Sequence, residues 1–148
     1  MEHSTLEIRL RRVEDILAIQ QLFIDYGHFL DAGLFDEYAG LFARDGEVQL
    51  GPLGTAKGRE AIRIMMMDML AGQVGRSYHL ISSPRIVFEG EGSARSEVMW
   101  TVIDRTDRDR PVVTMIGRHR DLLVREDGRW RFLRRRGYVD IPGGIATE

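Results

Sequence analysis

The feature that most constrains the fold is a change in hydrophobic period near Ser77. Before this point, apolar residues recur at steps of three and four, which is the spacing of one face of a helix. From Ser77 onward, apolar and polar residues alternate, as they do in half-buried strands. A run of helices followed by a run of strands is typical of the α+β class. We therefore predict an α+β chain whose antiparallel sheet bends strongly around the first helix and leaves a cavity between them.

Three helices are predicted in the first half of the chain. The first ends before Gly33, a residue suited to a left-handed helix stop. The second covers about 34 to 42, and the third runs from Arg59 to about Ala71. A turn at Asp45-Gly46 leads into a short hairpin, 47–50 with 55–57, which separates the last two helices. The apolar stripe of the first helix consists of Ile16, Ile19, Phe23, Tyr26 and Leu30. The third helix has Ile62, Met65, Met66 and Met69 on its apolar side.

Four long strands are predicted in the second half, at 78–89, 94–104, 112–125 and 129–140. Asp127-Gly128 joins the last two and is a strong hairpin signal, because both central residues of a type I′ turn need positive φ. The sequence has no internal repeat, low-complexity stretch or linker. We therefore expect one domain over residues 1–148.

Composition narrows the function classes. The chain has 148 residues, no cysteine and a formal net charge of −2, so neither thiolate chemistry nor a field that attracts nucleic acid is expected. Residues 1–10 lack the apolar core of a signal peptide, and no stretch is long enough to span a membrane. We predict a soluble, cytoplasmic protein. Lys57 is the only lysine, and it lies in a predicted turn where Schiff-base chemistry is not expected.

Acidic and tyrosyl groups near the end of the first helix are the first candidates for chemistry. Asp31 falls in the last turn, where the helix dipole disfavours a carboxylate by up to about 1 kcal/mol. Either another group in the protein binds the Asp31 carboxylate, or the carboxylate is simply hydrated by solvent. Tyr26 lies on the buried stripe, so its hydroxyl needs a partner inside the protein or only packs there. For His28, a capping or surface role is the simpler interpretation.

Histidines in the strands are the second group of candidates. His79 starts a strand with apolar neighbours, and an imidazole held by a carboxylate there would be a good base. Without such a carboxylate it would be an ordinary structural histidine. His119 can face the cavity while its neighbours Arg118 and Arg120 face outward. Trp100 would line the core or stack on a ligand. The four histidines lack metal-binding spacing, so no metal is expected.

Several motifs follow one another along nearly the whole chain: Ala18–Leu22 with Tyr26 and Asp31, Leu41–Gly46, Gly58–Ile62, His79, Gly117–Asp121 and Val124–Trp130. In this order they resemble the SnoaL-like, scytalone dehydratase-like branch of the nuclear transport factor 2-like superfamily. The resemblance implies a cone-shaped α+β barrel with a deep pocket.

The resemblance also implies catalytic roles. Scytalone dehydratase, bile-acid 7α-dehydratase and γ-hexachlorocyclohexane dehydrochlorinase use a His–Asp dyad as a base for elimination, without metal or cofactor. Asp31 and His79 fall at the positions of this dyad, and Tyr26 falls at the tyrosine of the bile-acid enzyme. That enzyme has a further aspartate where this chain has Val102. We therefore expect catalysis by these three residues with no cofactor.

The arginine run 134–136 permits two interpretations. The dehydrochlorinase has an arginine near Arg135, which would place this residue in the substrate-binding pocket. Strict alternation from the preceding turn would instead bring the two flanking arginines inward, unless a β-bulge intervenes. Pairing across the sheet with Asp121 or Glu126 is the alternative role for the run.

The expected function is that of a lyase or isomerase, most simply a dehydratase acting on a small, largely apolar cyclic or aromatic molecule. Trp100, His119, Val102, Arg135 and Met66 are the predicted substrate-binding residues. Relatives of this fold also act as ketosteroid isomerases, polyketide cyclases and epoxide hydrolases, and others bind ligands without catalysis. A carbon–carbon lyase is a further alternative. The resemblance implies a homodimer or homotrimer, and neither nucleic acid nor membrane is an expected partner.

Overall fold

The computed structural model describes residues 4–107 and 110–143. The first half of the chain contains three helices and two strands, and the second half is a four-stranded meander, as the change of period predicts. The helices are α1 (Thr5–Ala32), α2 (Phe35–Ala39) and α3 (Arg59–Leu70). The strands are β1 (Phe42–Gln49), β2 (Thr55–Lys57), β3 (Ser77–Phe88), β4 (Ser93–Asp107), β5 (Arg110–Glu126) and β6 (Arg129–Ile141).

The six strands form one curled sheet in the order β2-β1-β6-β5-β4-β3. All neighbours are antiparallel except β1 and β6, which run parallel. The edge strands β2 and β3 do not pair with each other, so the sheet curls without closing. Helix α1 lies across its concave side, with β3 beside it. The predicted α+β class and the bent sheet around the first helix are confirmed.

Local chemistry at both ends fixes the limits of α1. The Ser4 side chain accepts a hydrogen bond from the backbone N–H of Glu7, whose carboxylate accepts one from the Ser4 N–H. Gly33 ends the helix as predicted, in the left-handed conformation at φ 70°. Although α1 has 28 residues, no helix in the described part of the chain is both long and apolar enough to cross a membrane.

Two elements differ from their predicted limits. Helix α2 is only five residues long, and β1 begins at Phe42 instead of after a turn at Asp45-Gly46. The pair lies inside β1, at an irregularity in its register with β6. A side chain at position 46 would lie 2.8 Å from the carbonyl oxygen of Ala43. Glycine is therefore needed at this irregularity for close packing, and not for a turn.

The β5–β6 hairpin decides which arginine faces inward. Asp127 and Gly128 have positive φ of 53° and 76°, which matches the predicted type I′ turn. Further along, Leu123 pairs with Phe132 whereas Leu122 pairs with Arg134, so β6 carries an extra residue between them. This β-bulge shifts the alternation of inward and outward side chains by one residue. Arg135 therefore faces the interior of the protein.

Candidate active site

A cavity of about 150 Å³ lies between α1, α3 and the concave side of the sheet. Its wall is largely apolar, and four residues bring polar atoms or aromatic nitrogen to it: Tyr26, His79, Trp100 and His119. Met66 and Val102 also line it. Six of the eight predicted site residues therefore share one cavity. Asp31 lies behind His79, and Arg135 lies outside the cavity wall.

The Asp31 carboxylate holds His79 from the side opposite the cavity. Asp31 Oδ1 is 2.7 Å from His79 Nδ1, and the two carboxylate oxygens accept the backbone N–H of His79 at 3.0 and 3.1 Å. A carboxylate at this distance requires a proton on Nδ1, which we assign from the hydrogen bond. His79 Nε2 then keeps its lone pair and is free to act as a base.

The fold accounts for the unfavourable position of Asp31. The residue lies in the last turn of α1, which carries no basic residue. His79, near the start of strand β3, supplies both the backbone N–H and the imidazole that bind the carboxylate. Gly27, one turn earlier, makes this possible because a side chain there would lie 3.1 Å from the His79 carbonyl oxygen. A glycine inside a long helix was the sequence signal for this contact, and the sequence analysis did not use it.

Tyr26 lines the cavity from the middle of α1. The Tyr38 hydroxyl donates a hydrogen bond to the Tyr26 oxygen over 3.5 Å, so this contact does not use the hydrogen of Tyr26. Burial raises the pKa of Tyr26, and the nearby Arg135 opposes this rise. The hydroxyl is therefore protonated at neutral pH and can donate.

His119 reaches the cavity from β5, between two aromatic residues. Its ring lies edge-on to Tyr26 at 5.3 Å and tilted to Trp100 at 5.9 Å, measured between centroids. Burial lowers the pKa of His119 well below 6.5, and the positive charge of Arg135 lowers it further, as does a proton on His79 whenever that ring carries one. The imidazole is therefore neutral at neutral pH. Its neighbours Arg118 and Arg120 face outward as predicted, where they bind Asp140 and Glu97.

We expect stability to fall between pH 7 and pH 5 because of His119. In the unfolded chain this residue takes up a proton near pH 6.5, whereas burial keeps it unprotonated in the folded protein. Below about pH 6.5 the free energy of unfolding therefore decreases, by up to about 1.4 kcal/mol per pH unit. Urea denaturation across this range should show the slope in wild type, and it should be flatter in His119→Leu. His28→Gln, on the exposed side of α1, serves as the control. A pH-independent wild type would contradict the assignment.

Arg135 lies behind the cavity instead of lining it, which corrects its predicted role as a direct substrate contact. The guanidinium and the Asp121 carboxylate are both fully buried and joined by bonds of 2.8 and 3.2 Å. Its carbon centre lies 4.1 Å from the ring centroids of Tyr26 and of Phe132. Ser96 donates a further hydrogen bond to Asp121. The cross-strand pairing with Asp121 is confirmed, and Arg135 can influence the cavity only through Tyr26 and His119.

Among residues 4–107 and 110–143, no three His, Asp or Glu side chains are grouped closely enough to hold a metal ion. The chemistry that the cavity residues themselves offer is proton transfer. His79 provides a base, Tyr26 a neutral hydrogen-bond donor and His119 a neutral imidazole. Together they can remove a proton from one part of a ligand and donate one to another.

Comparison with known proteins agrees with this architecture. A nuclear transport factor 2-like protein with a cystatin-like fold from Novosphingobium aromaticivorans is 25% identical, with a TM-score of 0.85 over 94% of this chain and 90% of its own. A candidate scytalone dehydratase from the same organism is 28% identical, with a TM-score of 0.73 over 87% and 86% of the two chains. Among curated proteins, no sequence matches this chain significantly.

A more distant structural likeness and a family model complete the comparison. A hexachlorocyclohexane dehydrochlorinase (LinA) type 2 is 20% identical, with a TM-score of 0.79 over 89% of each chain, and at this identity it shows a shared fold alone. The model of the SnoaL-like domain matches residues 11–136. With that match over most of its length and a curled sheet around α1, the chain belongs to the SnoaL-like domain family.

Proposed function

We propose that this protein is a lyase or isomerase in which His79, held by Asp31, is the general base. The dehydration of a small, largely apolar cyclic or aromatic molecule is the reaction that fits best. The observation that carries the proposal is the 2.7 Å bond from Asp31 to His79 Nδ1 at the wall of an apolar cavity. An imidazole oriented by a carboxylate is a common device for proton abstraction near neutral pH.

In the proposed reaction, His79 Nε2 takes a proton from a carbon next to a carbonyl or other activating group. The electrons of that C–H bond form a new carbon–carbon double bond, and a hydroxyl on the adjacent carbon leaves. Tyr26 supplies the proton with which this hydroxyl departs as water. Asp31 stabilises the imidazolium that forms on His79. The proton on His79 then returns to the Tyr26 oxygen through solvent, which resets both groups.

The cavity dimensions favour a compact substrate. Its volume of about 150 Å³ is well below the roughly 300–1,000 Å³ of pockets that hold drug-sized ligands. Leucine, methionine and valine side chains form much of the wall, and burial keeps His119 neutral there. A charged substrate would lose its hydration in this cavity without a counter-charge at the wall. An uncharged molecule with about one ring fits best.

A relative supports elimination over the other reactions of this fold. One similar structure is named as a candidate scytalone dehydratase, and a dehydratase removes water from its substrate. Epoxide hydrolysis has less support, because the cavity wall presents no carboxylate and Asp31 is occupied behind His79. The proposal includes no cofactor, since a base and a hydrogen-bond donor suffice for elimination.

A turnover screen with one cavity variant tests this proposal. The panel contains β-hydroxy ketones, single-ring enones and aromatic polyols, each incubated with wild type, Val102→Phe and Val87→Phe. Val102 lines the cavity and is the cross-strand partner of His79, so the larger ring fills the cavity directly beside the dyad. Val87 is 58% exposed on β3 and receives the same change as a control.

We expect turnover by wild type and Val87→Phe, and its loss in Val102→Phe. Equal turnover by all three proteins would place the chemistry outside this cavity. Ligand binding that is blocked by Val102→Phe, but without turnover of any compound, would indicate a binding protein and contradict catalysis by the dyad.

A further inference from the structure

Helix α1 carries a second apolar stripe on the side away from the core. The stripe, which we call the outer seam, consists of Leu6, Leu10, Val13, Leu17 and Ile24. These five side chains are 71%, 55%, 51%, 59% and 49% exposed. Their spacing of four, three, four and seven residues is that of the a and d positions of a heptad repeat, in which the polar Gln20 takes the d position between Leu17 and Ile24. A helix with apolar residues on two opposite faces is stabilised when both faces are buried against other surfaces.

The first part of α1 also has little support from its own domain, where Arg12 stacks on the ring of Phe88 at 3.8 Å. Every residue from Ser4 to Glu14 is exposed, which is about three helical turns. Helices of this kind owe most of their stability in proteins to the packing of an apolar face. The inner stripe provides such packing only from Asp15 onward, where buried residues begin. The outer seam therefore offers the missing packing surface to another molecule.

The charges beside the seam indicate what that molecule is. With Leu10 and Leu17 at a positions, Arg9 takes the preceding g position and Glu14 an e position. In a parallel pair of α1 helices, each g residue faces the e residue five positions later in the other helix. Arg9 of one copy would thus face Glu14 of the other, twice by symmetry. In an antiparallel pair the Glu14 side chains would approach each other instead.

From these observations we propose that the outer seam joins two copies of this chain through a parallel, two-stranded coiled coil of their α1 helices. Neither Arg9 nor Glu14 has an ion-pair partner within the residues that the structure describes, so both are available. The segment Ser4–Ile24 has three basic residues and three acidic ones, a balance that gives no attraction to an anionic membrane. The sequence of the seam is complementary to itself.

The proposed contact between the two α1 helices is short, so the dimer it forms is weak. From Leu6 to Ile24 the seam extends about 27 Å, which is less than three heptads. An interface of this length lies at the small end of specific protein contacts, so the dimer forms in a concentration-dependent manner. Helix pairing leaves the cavity side of α1 free, because the seam and the buried stripe lie on opposite faces.

Sedimentation equilibrium of the full chain, from low micromolar to near-millimolar concentration, tests the proposal with a matched pair of variants. Leu17 lies on the seam and Ile8 on the other side of α1, and both are 59% exposed. We expect wild type and Ile8→Gln to dimerise alike. Leu17→Gln should raise the dissociation constant at least about a hundredfold, because each dimer loses two buried leucines.

Charge reversal tests the parallel register independently. Arg9→Glu and Glu14→Arg should each weaken the dimer, and the combined variant should restore it. A wild type that stays monomeric throughout would overturn the proposal, and so would a dimer that Leu17→Gln and Ile8→Gln affect equally. Far-UV circular dichroism confirms that each variant is folded. None of these results depends on the substrate or on turnover.

Discussion

His79→Ala loses turnover by about 10²–10⁴-fold while its fold and stability stay close to wild type, the range expected for removal of a general base. The imidazole is 17% exposed, and after truncation the backbone N–H of residue 79 still binds the Asp31 carboxylate, so the loss of stability is small. The measurement is kcat/KM on the substrate found in the screen, with urea denaturation of the same preparation. His28→Gln, another histidine near the end of α1, should retain wild-type activity.

Asp31→Asn tests the other half of the dyad. An amide carries no charge to stabilise the imidazolium, and its NH₂ group can donate to Nδ1, which favours the tautomer with the hydrogen on Nε2. We expect a loss similar to that of His79→Ala, and a double variant no worse than the weaker single one, because the two residues act as a unit. Additive losses would show that Asp31 and His79 act separately and would contradict the dyad.

Arg135→Met is expected to lower the free energy of unfolding by about 3–5 kcal/mol. Both charged side chains are fully buried, so removal of the guanidinium leaves the Asp121 carboxylate without its counter-ion in the core. Ser96 alone then binds that carboxylate. Urea denaturation at neutral pH measures the loss.

Two companion variants separate the ion pair from general damage. Arg134→Met changes the neighbouring residue, which faces outward and is only partly buried, so it should cost less than about 1 kcal/mol. Arg135→Met combined with Asp121→Leu removes both charges and should recover most of the lost stability. Equal effects of Arg134→Met and Arg135→Met, or a double variant less stable than either single one, would contradict this account of the pair.

Much of the fold follows from the sequence because its signals are local. The change of period near Ser77, the stop at Gly33 and the Asp127-Gly128 turn each depend on a few neighbouring residues, and all three match the structure. The limits of β1 did not follow. Its Asp45-Gly46 pair has turn composition, but the glycine is required by close packing against Phe42 and Ala43. Sequence neighbours carry no signal of that contact.

The candidate site could be predicted only in part. The dyad joins residues 48 positions apart, and local chemistry left a solvated Asp31 and a structural His79 equally open. The resemblance to a family, and not the spacing, brought them together. Arg135 is a different case, because its inward direction depends on one extra residue in β6 that strict alternation does not reveal. The outer seam was overlooked because the search for one apolar face of α1 ended at the core stripe.

The central claim is that His79 removes a proton from a ligand bound in the cavity, and hydrogen exchange tests it most directly. A cyclic ketone from the panel is incubated in D₂O at neutral pH, and NMR follows deuterium incorporation next to the carbonyl. Wild type should accelerate this exchange over buffer, and His79→Ala should reduce it to the buffer rate although it still binds the ketone. Exchange at the wild-type rate in His79→Ala would show that another group is the base.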